Sequence, residues 1–165
     1  VKDWGINSVP ILIVSIPLAS IVLLRADPHG LQWILLALGG TFSCDTAAYA
    51  CGKILGRRPM APRVSPNKTW EGSAGGFFAA VGATFALVAI LGLGVPWFVA
   101  LPLGALIGII SQAGDLLETW MKRTAGVKNS GGLIPGHGGI MDRLDSLVPV
   151  LPLVYYVSKV WPIVG

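Results

Sequence analysis

The apolar residues of this chain come in long runs, and the polar residues are confined to short stretches between them. A helix that crosses roughly 30 Å of hydrocarbon needs about 20 mostly apolar residues. The pattern predicts about five such spans, at residues 8–24, 31–55, 73–93, 97–120 and 147–164. We therefore expect an all-α fold, a polytopic integral membrane helix bundle that forms a single domain over residues 1–165.

The composition agrees with this prediction. Hydrophobic residues make up 53% of the chain and charged residues only 12%, whereas average globular proteins are roughly 25% charged. The net charge is +4, but the basic residues lie between the apolar runs. We therefore expect the lipid bilayer as a partner and no binding of nucleic acid.

Two polar loops carry most of the basic residues. The loops at residues 56–72 and 121–146 hold four each, and the turn at residues 25–30 holds one. Two predicted spans separate the two basic loops, so both loops lie on the same face of the membrane. Basic loops stay on the cytoplasmic side, so we expect both loops to be cytoplasmic. We also expect these polar loops to form the functional site.

The stretch at residues 111–146 concentrates charge of both signs. Asp115, Glu118 and Lys122 share one face of a helix at this spacing. Asp142 and Asp145 are again three residues apart. Carboxylate oxygens suit Mg²⁺, which usually takes one or two of them and completes its shell with water and phosphate. The alternative is an ordinary Glu118–Lys122 salt bridge with the aspartates as interfacial caps.

The middle of this stretch, residues 126–139, contains six glycines in fourteen residues. Glycines allow backbone N–H groups to approach an anion closely. Lys128, with the flanking Arg123 and Arg143, could neutralise phosphates, and His137 either contacts a substrate or shapes the loop. On its own a glycine-rich loop is a weak signal.

Two further polar features lie outside this stretch. Lys68 and Glu71 stand at the mouth of the third span, where a lysine either reaches a phosphate or only anchors the loop to the membrane surface. Asp45 lies within the second span. An ionisable residue inside a membrane helix is a functional-site hypothesis by default, so we expect Asp45 to face the interior of the bundle.

Two small-residue spacings are present, Gly72 with Gly76 and Gly104 with Gly108. Glycines four residues apart allow two membrane helices to approach closely. We expect these surfaces to pack helices within one chain, and a homodimer contact is the alternative.

In this order, the motifs resemble those of the phosphatidate cytidylyltransferase family, also called CDP-diacylglycerol synthases. They are DTAAY at residues 45–49, SPNKTWEG at 65–72, SQAGDLLETWMKR at 111–123 and PGHGGIMDRLD at 135–145. This chain departs from the family pattern at Asn129, where aspartate is usual, and at Thr119, where serine is usual. It is also shorter than the family's usual length, so we expect N-terminal membrane helices of the full-length family to be missing.

The resemblance implies a single membrane-embedded cytidylyltransferase domain that makes CDP-diacylglycerol and pyrophosphate from CTP and phosphatidate, with Mg²⁺. The implied location is the bacterial inner (cell) membrane, with the active site facing the cytoplasm. The implied catalytic residues are Asp115, Asp142, Lys122, Arg123 and Lys128. The implied metal ligands are Asp115, Asp142, Glu118 and Asp145. The implied substrate-binding residues are Ser65, Lys68, Thr69, Glu71, His137, Gly138, Gly139, Arg143 and Asp45.

Two other functions remain open at this point. A CTP-dependent lipid kinase, acting on a polyprenol or phytol, would release CDP and a phosphorylated lipid instead of pyrophosphate and a CDP-lipid. An ion transporter would use Asp45, Asp115 and Asp142 near the middle of the bilayer, whereas we expect Asp115 and Asp142 at its cytoplasmic edge.

Overall fold

A computed structural model of the chain describes residues 15–62, 64–124 and 146–161. These ranges contain five helices and one β-hairpin. The helices are α1 (Ser15–Arg25), α2 (Gly30–Leu55), α3 (Trp70–Ile90), α4 (Trp97–Thr124) and α5 (Val150–Val160). The strands are β1 (Pro59–Ala61) and β2 (Ser65–Thr69), which pair antiparallel. The predicted membrane helix bundle is confirmed, and the hairpin is an addition to it.

Three of the predicted spans correspond to helices that are long and apolar enough to cross a membrane. These are α2, α3 and α4, with 26, 21 and 28 residues. The helices α1 and α5 are shorter. The predicted first and fifth spans extend into residues 8–14 and 162–164, which lie outside the described residues.

Large apolar side chains cover the outside of these helices. Ile54, Phe78 and Ile90 are more than two-thirds exposed, and Phe42 and Ile109 are about half exposed. A soluble monomer rarely shows apolar patches of this extent. Contact with lipid explains them, because the hydrocarbon is as apolar as these side chains.

Most of the buried apolar side chains form one cluster, to which all five described helices contribute. Leu24, Trp33, Leu36, Ile107 and Val154 belong to it, together with Leu93 and Val95 from the α3–α4 connection. The cluster therefore lies towards the beginning of α2 and the end of α3, and the other end of these two helices is where the hairpin joins them.

Glycines bring α2, α3 and α4 into close contact. A Cβ atom on Gly72 would lie 2.7 Å from the Ala48 carbonyl oxygen, and one on Gly76 would lie 2.8 Å from the Cys44 carbonyl oxygen. On α4, a Cβ atom on Gly104 would lie 2.8 Å from the Cα of Val81. The small-residue surfaces thus pack helices within the chain, which is the first of the two alternatives above.

The hairpin is tied to the first turn of α3. Thr69 is the N-cap residue, and its hydroxyl accepts a hydrogen bond from the Gly72 amide at 3.2 Å. The Glu71 carboxylate accepts hydrogen bonds from the backbone amides of Arg57 and Arg58, each at 3.2 Å. Because Thr69 satisfies an otherwise unpaired N–H group, α3 begins at Trp70, three residues earlier than predicted.

Candidate active site

A cavity of about 640 Å³ opens between α2, α3 and α4 at the end of the bundle that carries the hairpin. Its lining combines apolar and polar side chains. The polar members are Asp45, Tyr49, Lys53, Asn67, Lys68, Thr69, Ser73, Gln112, Asp115 and Ser146. The cavity therefore collects residues from three of the sequence motifs into one site.

Lys68 and Asp115 form an ion pair across the cavity, between β2 and α4. The side chains keep 25% and 31% of their exposed area, so the pair is partly shielded from water. The sequence assigned these residues to separate motifs with separate roles. Their pairing places a positive and a negative charge side by side in the space where a ligand would bind.

Asp45 lines the same cavity from α2. Its carboxylate is near enough to Asp115 for the two negative charges to repel each other, and it accepts a hydrogen bond from the Ser146 hydroxyl. The expectation that Asp45 faces the interior of the bundle is therefore met by the geometry. Because Lys68 also lies beside these groups, one ammonium faces two carboxylates.

Both carboxylates lie some way below the ends of their helices. Asp45 comes ten residues before the end of α2, and Asp115 comes nine residues before the end of α4. At 1.5 Å per residue these separations are about 15 and 14 Å along the helix axes. The helix α4 continues to Thr124 instead of ending at Trp120, so Asp115 lies farther from the end of its helix than the sequence indicated.

Gln112 ties the three cavity-forming helices together. Its amide Nε2 donates to the carbonyl oxygen of Ser73 at 3.1 Å and to the sulfur of Cys44 at 3.5 Å. Its Oε1 accepts from the Ser73 hydroxyl. Gln112 lies one helical turn before Asp115 on α4, so this network fixes the position of the Asp115 turn against α2 and α3.

Sequence reasoning missed Gln112, Ser73 and the role of Cys44. A signal was present, because an amide within an apolar helix is costly unless it finds hydrogen-bond partners. A single amide inside a run of apolar residues therefore indicates a contact between helices. The sequence does not say which helix supplies the partner.

The other predicted residues of α4 lie outside the cavity lining. Glu118 and Lys122 form an ion pair at 2.8 Å with the spacing of one helical turn, as the alternative interpretation expected. Arg123 is exposed at the end of the helix. These three residues come after Asp115 in α4, between the part of the helix that lines the cavity and its end at Thr124.

The predicted residues of the hairpin region divide between two sides of α3. Lys68 and Thr69 line the cavity, with the Thr69 hydroxyl engaged as the helix cap. Ser65 begins β2 and is not part of the lining. Glu71 faces away from the cavity, where the backbone amides of Arg57 and Arg58 bind its carboxylate.

The remaining predicted residues belong to residues 125–145, which lie outside the described residues. They are Lys128, His137, Gly138, Gly139, Asp142, Arg143 and Asp145. Their roles stay predictions. Ser146, the first described residue after this segment, lines the cavity.

The donor set of the cavity fits a hard divalent cation. Asp45 and Asp115 offer carboxylate oxygens, and Ser73, Gln112 and Ser146 offer neutral oxygens. Magnesium is commonly held by one or two carboxylates, and water and substrate phosphate supply its other ligands. The described residues contain no cluster of three or more His, Cys, Asp or Glu side chains. The described side chains of the cavity would therefore hold a cation only together with ligands from outside this set.

Comparisons with known proteins identify the family of the chain. The model of the cytidylyltransferase family matches residues 1–161. The phosphatidate cytidylyltransferase of Brucella suis is 43% identical over 143 residues, which cover 86% of this chain and 53% of the relative. The enzymes of that name from Bacillus subtilis and Mycobacterium bovis are 41% identical over 130 residues and 38% identical over 134 residues.

These two alignments cover 79% and 81% of this chain but 48% and 44% of the relatives. The chain thus spans about half the length of the curated relatives it matches. The family match nevertheless extends over almost all of the chain and includes every residue of the cavity. The chain belongs to the cytidylyltransferase family.

Proposed function

We propose that the protein containing this chain is a phosphatidate cytidylyltransferase, which makes CDP-diacylglycerol and pyrophosphate from CTP and phosphatidate. The observation that carries the proposal is the Lys68–Asp115 ion pair beside Asp45 in one cavity of a membrane helix bundle. A site between membrane helices gives a lipid phosphate and a soluble nucleotide access to the same charged groups.

In this reaction a phosphate oxygen of phosphatidate attacks the α-phosphorus of CTP, and the bond to the leaving pyrophosphate breaks. The attacking oxygen is already ionised near neutral pH, so a strong general base is not needed. The main difficulty is to bring two anions together, and positioning and positive charge overcome it. Lys68 supplies positive charge inside the cavity, and Asp115 compensates that charge before a substrate phosphate arrives.

Mg²⁺ is the proposed cofactor, with Asp115 and the predicted Asp142 as its ligands and Glu118 and Asp145 as further candidates. When bound, it would offset the charge of the phosphates and of the leaving pyrophosphate. Asp45 would either contact the cation directly or orient the groups that bind it. Lys122, Arg123 and Lys128 would offset the remaining negative charge of the two substrates.

We place the opening of the cavity on the cytoplasmic side of a bacterial inner (cell) membrane. Arg57, Arg58 and Lys68 lie between the end of α2 and the start of α3, and Lys122 and Arg123 lie at the end of α4. A concentration of basic residues at one end of a bundle favours the cytoplasmic face. CTP would then enter from the cytoplasm, and phosphatidate would enter from the bilayer.

Dimerisation stays a prediction. The glycine surfaces that suggested it are occupied by contacts between helices of the same chain. The transporter alternative is disfavoured by the family match, because the model of the cytidylyltransferase family covers residues 1–161.

The test is an assay of the purified protein in lipid nanodiscs with radiolabelled CTP, phosphatidate and Mg²⁺. We expect wild type to release pyrophosphate and form CDP-lipid, and Asp115→Asn to lose most of this activity. Asp27→Asn is the matched control, because Asp27 lies in the turn before α2 and pairs with Lys159. Formation of CDP and a phosphorylated lipid would instead indicate the kinase alternative. Equal activity of the two variants would refute the role of Asp115.

A further inference from the structure

A second groove, of about 740 Å³, lies on the other side of the first turn of α3. We call it the outer groove, and its lining residues are Leu55, Arg57, Arg58, Trp70, Glu71 and Ala74. It shares no lining residue with the cavity described above. The two spaces are thus separate, although the same short segment of the chain borders both.

Helical periodicity explains the separation. Thr69, Gly72 and Ser73 face the cavity, and Trp70, Glu71 and Ala74 face the outer groove. Side chains three and four positions apart share a helix face, so Phe78 continues the outer face along α3. Trp70 is 60% exposed and Phe78 is 71% exposed. The outer groove therefore opens towards the surface of the bundle that faces lipid.

The backbone at the rim of the groove is fixed by hydrogen bonds. The Glu71 carboxylate accepts from the amides of Arg57 and Arg58, and the Trp70 amide donates to the Arg58 carbonyl oxygen at 3.0 Å. These bonds hold the two consecutive arginines against the start of α3. Within the described ranges, neither guanidinium forms an ion pair with a carboxylate, although the positive charge of Arg58 lies near enough to favour the ionised form of the Glu71 carboxylate.

This combination of groups matches the chemistry of a phospholipid at a membrane surface. Arginine presents a planar set of donors that binds phosphate through two parallel hydrogen bonds. Tryptophan is enriched at the level of the headgroups. Leu55 and Ala74 add apolar side chains to the groove lining, and the beginning of an acyl chain can pack against them. Basic pockets between membrane helices are known to recognise anionic headgroups.

We propose that the outer groove binds the phosphate of an anionic phospholipid from the surrounding bilayer, separately from the cavity that binds the reactants. Arg57 and Arg58 hold the phosphate, Trp70 lies beside the headgroup, and Leu55 and Ala74 contact the acyl chain. This proposal depends on the membrane setting of the chain and not on the reaction in the cavity. Loss of activity in the cavity variants would leave it unchanged.

The test measures which lipids stay with the protein. The purified protein is equilibrated with mixed micelles of phosphatidylglycerol and phosphatidylcholine in equal amounts, and retained lipids are counted by mass spectrometry. We expect wild type to retain more phosphatidylglycerol than the mixture contains. An arginine beside an anionic headgroup changes binding of that lipid about fivefold, so Arg57→Gln and Arg58→Gln should each lower this excess by about that factor, unlike replacement of an arginine away from the groove.

Arg25→Gln is the control for overall charge, because Arg25 is an exposed arginine at the end of α1. It should leave the excess of phosphatidylglycerol intact. The double variant Arg57→Lys with Arg58→Lys keeps both charges but loses the planar donors, and we expect an intermediate excess. This variant also separates loss of the site from loss of the fold.

Three results would overturn the proposal. The first is the absence of an excess of phosphatidylglycerol on wild type, and the second is an equal loss in Arg25→Gln and Arg58→Gln. The third is an unchanged excess of phosphatidylglycerol in the double variant Arg57→Gln with Arg58→Gln. That result would show that the lipid is held elsewhere on the protein.

Discussion

Replacing Gly76 by alanine tests whether close helix contact holds the site together. Gly76 is a buried residue of α3. A Cβ atom there would lie 2.8 Å from the Cys44 carbonyl oxygen, 2.9 Å from the Ala48 Cβ and 3.2 Å from the Cys44 sulfur. Two of these neighbours are a backbone atom and a Cβ atom, so neither can turn aside. The helices α2 and α3 must separate to admit the methyl group.

The size of the effect follows from this geometry. To restore ordinary contact, α2 and α3 must move apart by about half an ångström, and packed groups on both sides then lose part of their attraction. Adding a methyl group to a well-packed interior typically costs about 1–3 kcal/mol. The higher helix propensity of alanine, about 1 kcal/mol, offsets part of this cost. We therefore expect Gly76→Ala to lower the free energy of unfolding by up to about 2 kcal/mol, roughly a 30-fold change in the unfolding equilibrium.

Gly82→Ala is a matched control on the same helix. Gly82 is exposed, and no atom lies within 4 Å of the position that its Cβ would occupy. Alanine is intrinsically more favourable than glycine in a helix by about 1 kcal/mol. We expect Gly82→Ala to leave the stability unchanged or to raise it.

The measurement is unfolding of the protein in mixed micelles with increasing amounts of a denaturing detergent, followed by circular dichroism. The midpoint of unfolding should fall for Gly76→Ala and stay or rise for Gly82→Ala. Equal midpoints for the two variants would refute the reasoning, because the two substitutions differ only in the neighbours that the new methyl group meets.

Two further predictions concern polar contacts between helices. Gln112→Leu should lower the free energy of unfolding by about 1–3 kcal/mol, since it leaves the polar groups of Ser73 without their partner. Gln32→Leu is the control in the same unfolding assay. It should lower the free energy of unfolding only slightly, because Gln32 Oε1 has no hydrogen-bond partner among the described residues. A larger decrease for Gln32→Leu than for Gln112→Leu would contradict this account. Asp27→Asn removes an ion pair with Lys159 that is partly exposed to solvent, so it should cost at most about 1 kcal/mol at low salt. The difference should vanish at high salt, and a cost that persists there would show that the pair is shielded from solvent.

The membrane bundle could be predicted because long apolar runs have few alternatives. A run such as residues 97–120 can satisfy its backbone groups in a bilayer only as a helix, and the helix α4 follows. The end of α4 was less predictable than the helix itself, because the polar residues after Trp120 are compatible with either a helix or a loop. The observed helix continues to Thr124 and includes the Glu118–Lys122 ion pair.

The hairpin could not be predicted from the sequence. Its two strands contain Pro59 and Pro66 and lack the alternation of apolar and polar residues that indicates a strand. Its stability comes from contacts with other elements, such as the cap at Thr69 and the Glu71 carboxylate. Those contacts involve residues whose proximity only the folded chain establishes.

The sequence alone determined that this chain is a membrane helix bundle, and its motifs identified Asp45, Lys68 and Asp115 as candidate site residues. The tertiary structure decided which of them meet. It paired Lys68 with Asp115, placed Asp45 beside them and turned Glu71 to the opposite side of α3. The physical reason is that a long apolar run by itself specifies a helix that crosses the membrane, whereas the pairing of charges depends on how glycine contacts bring separate helices together.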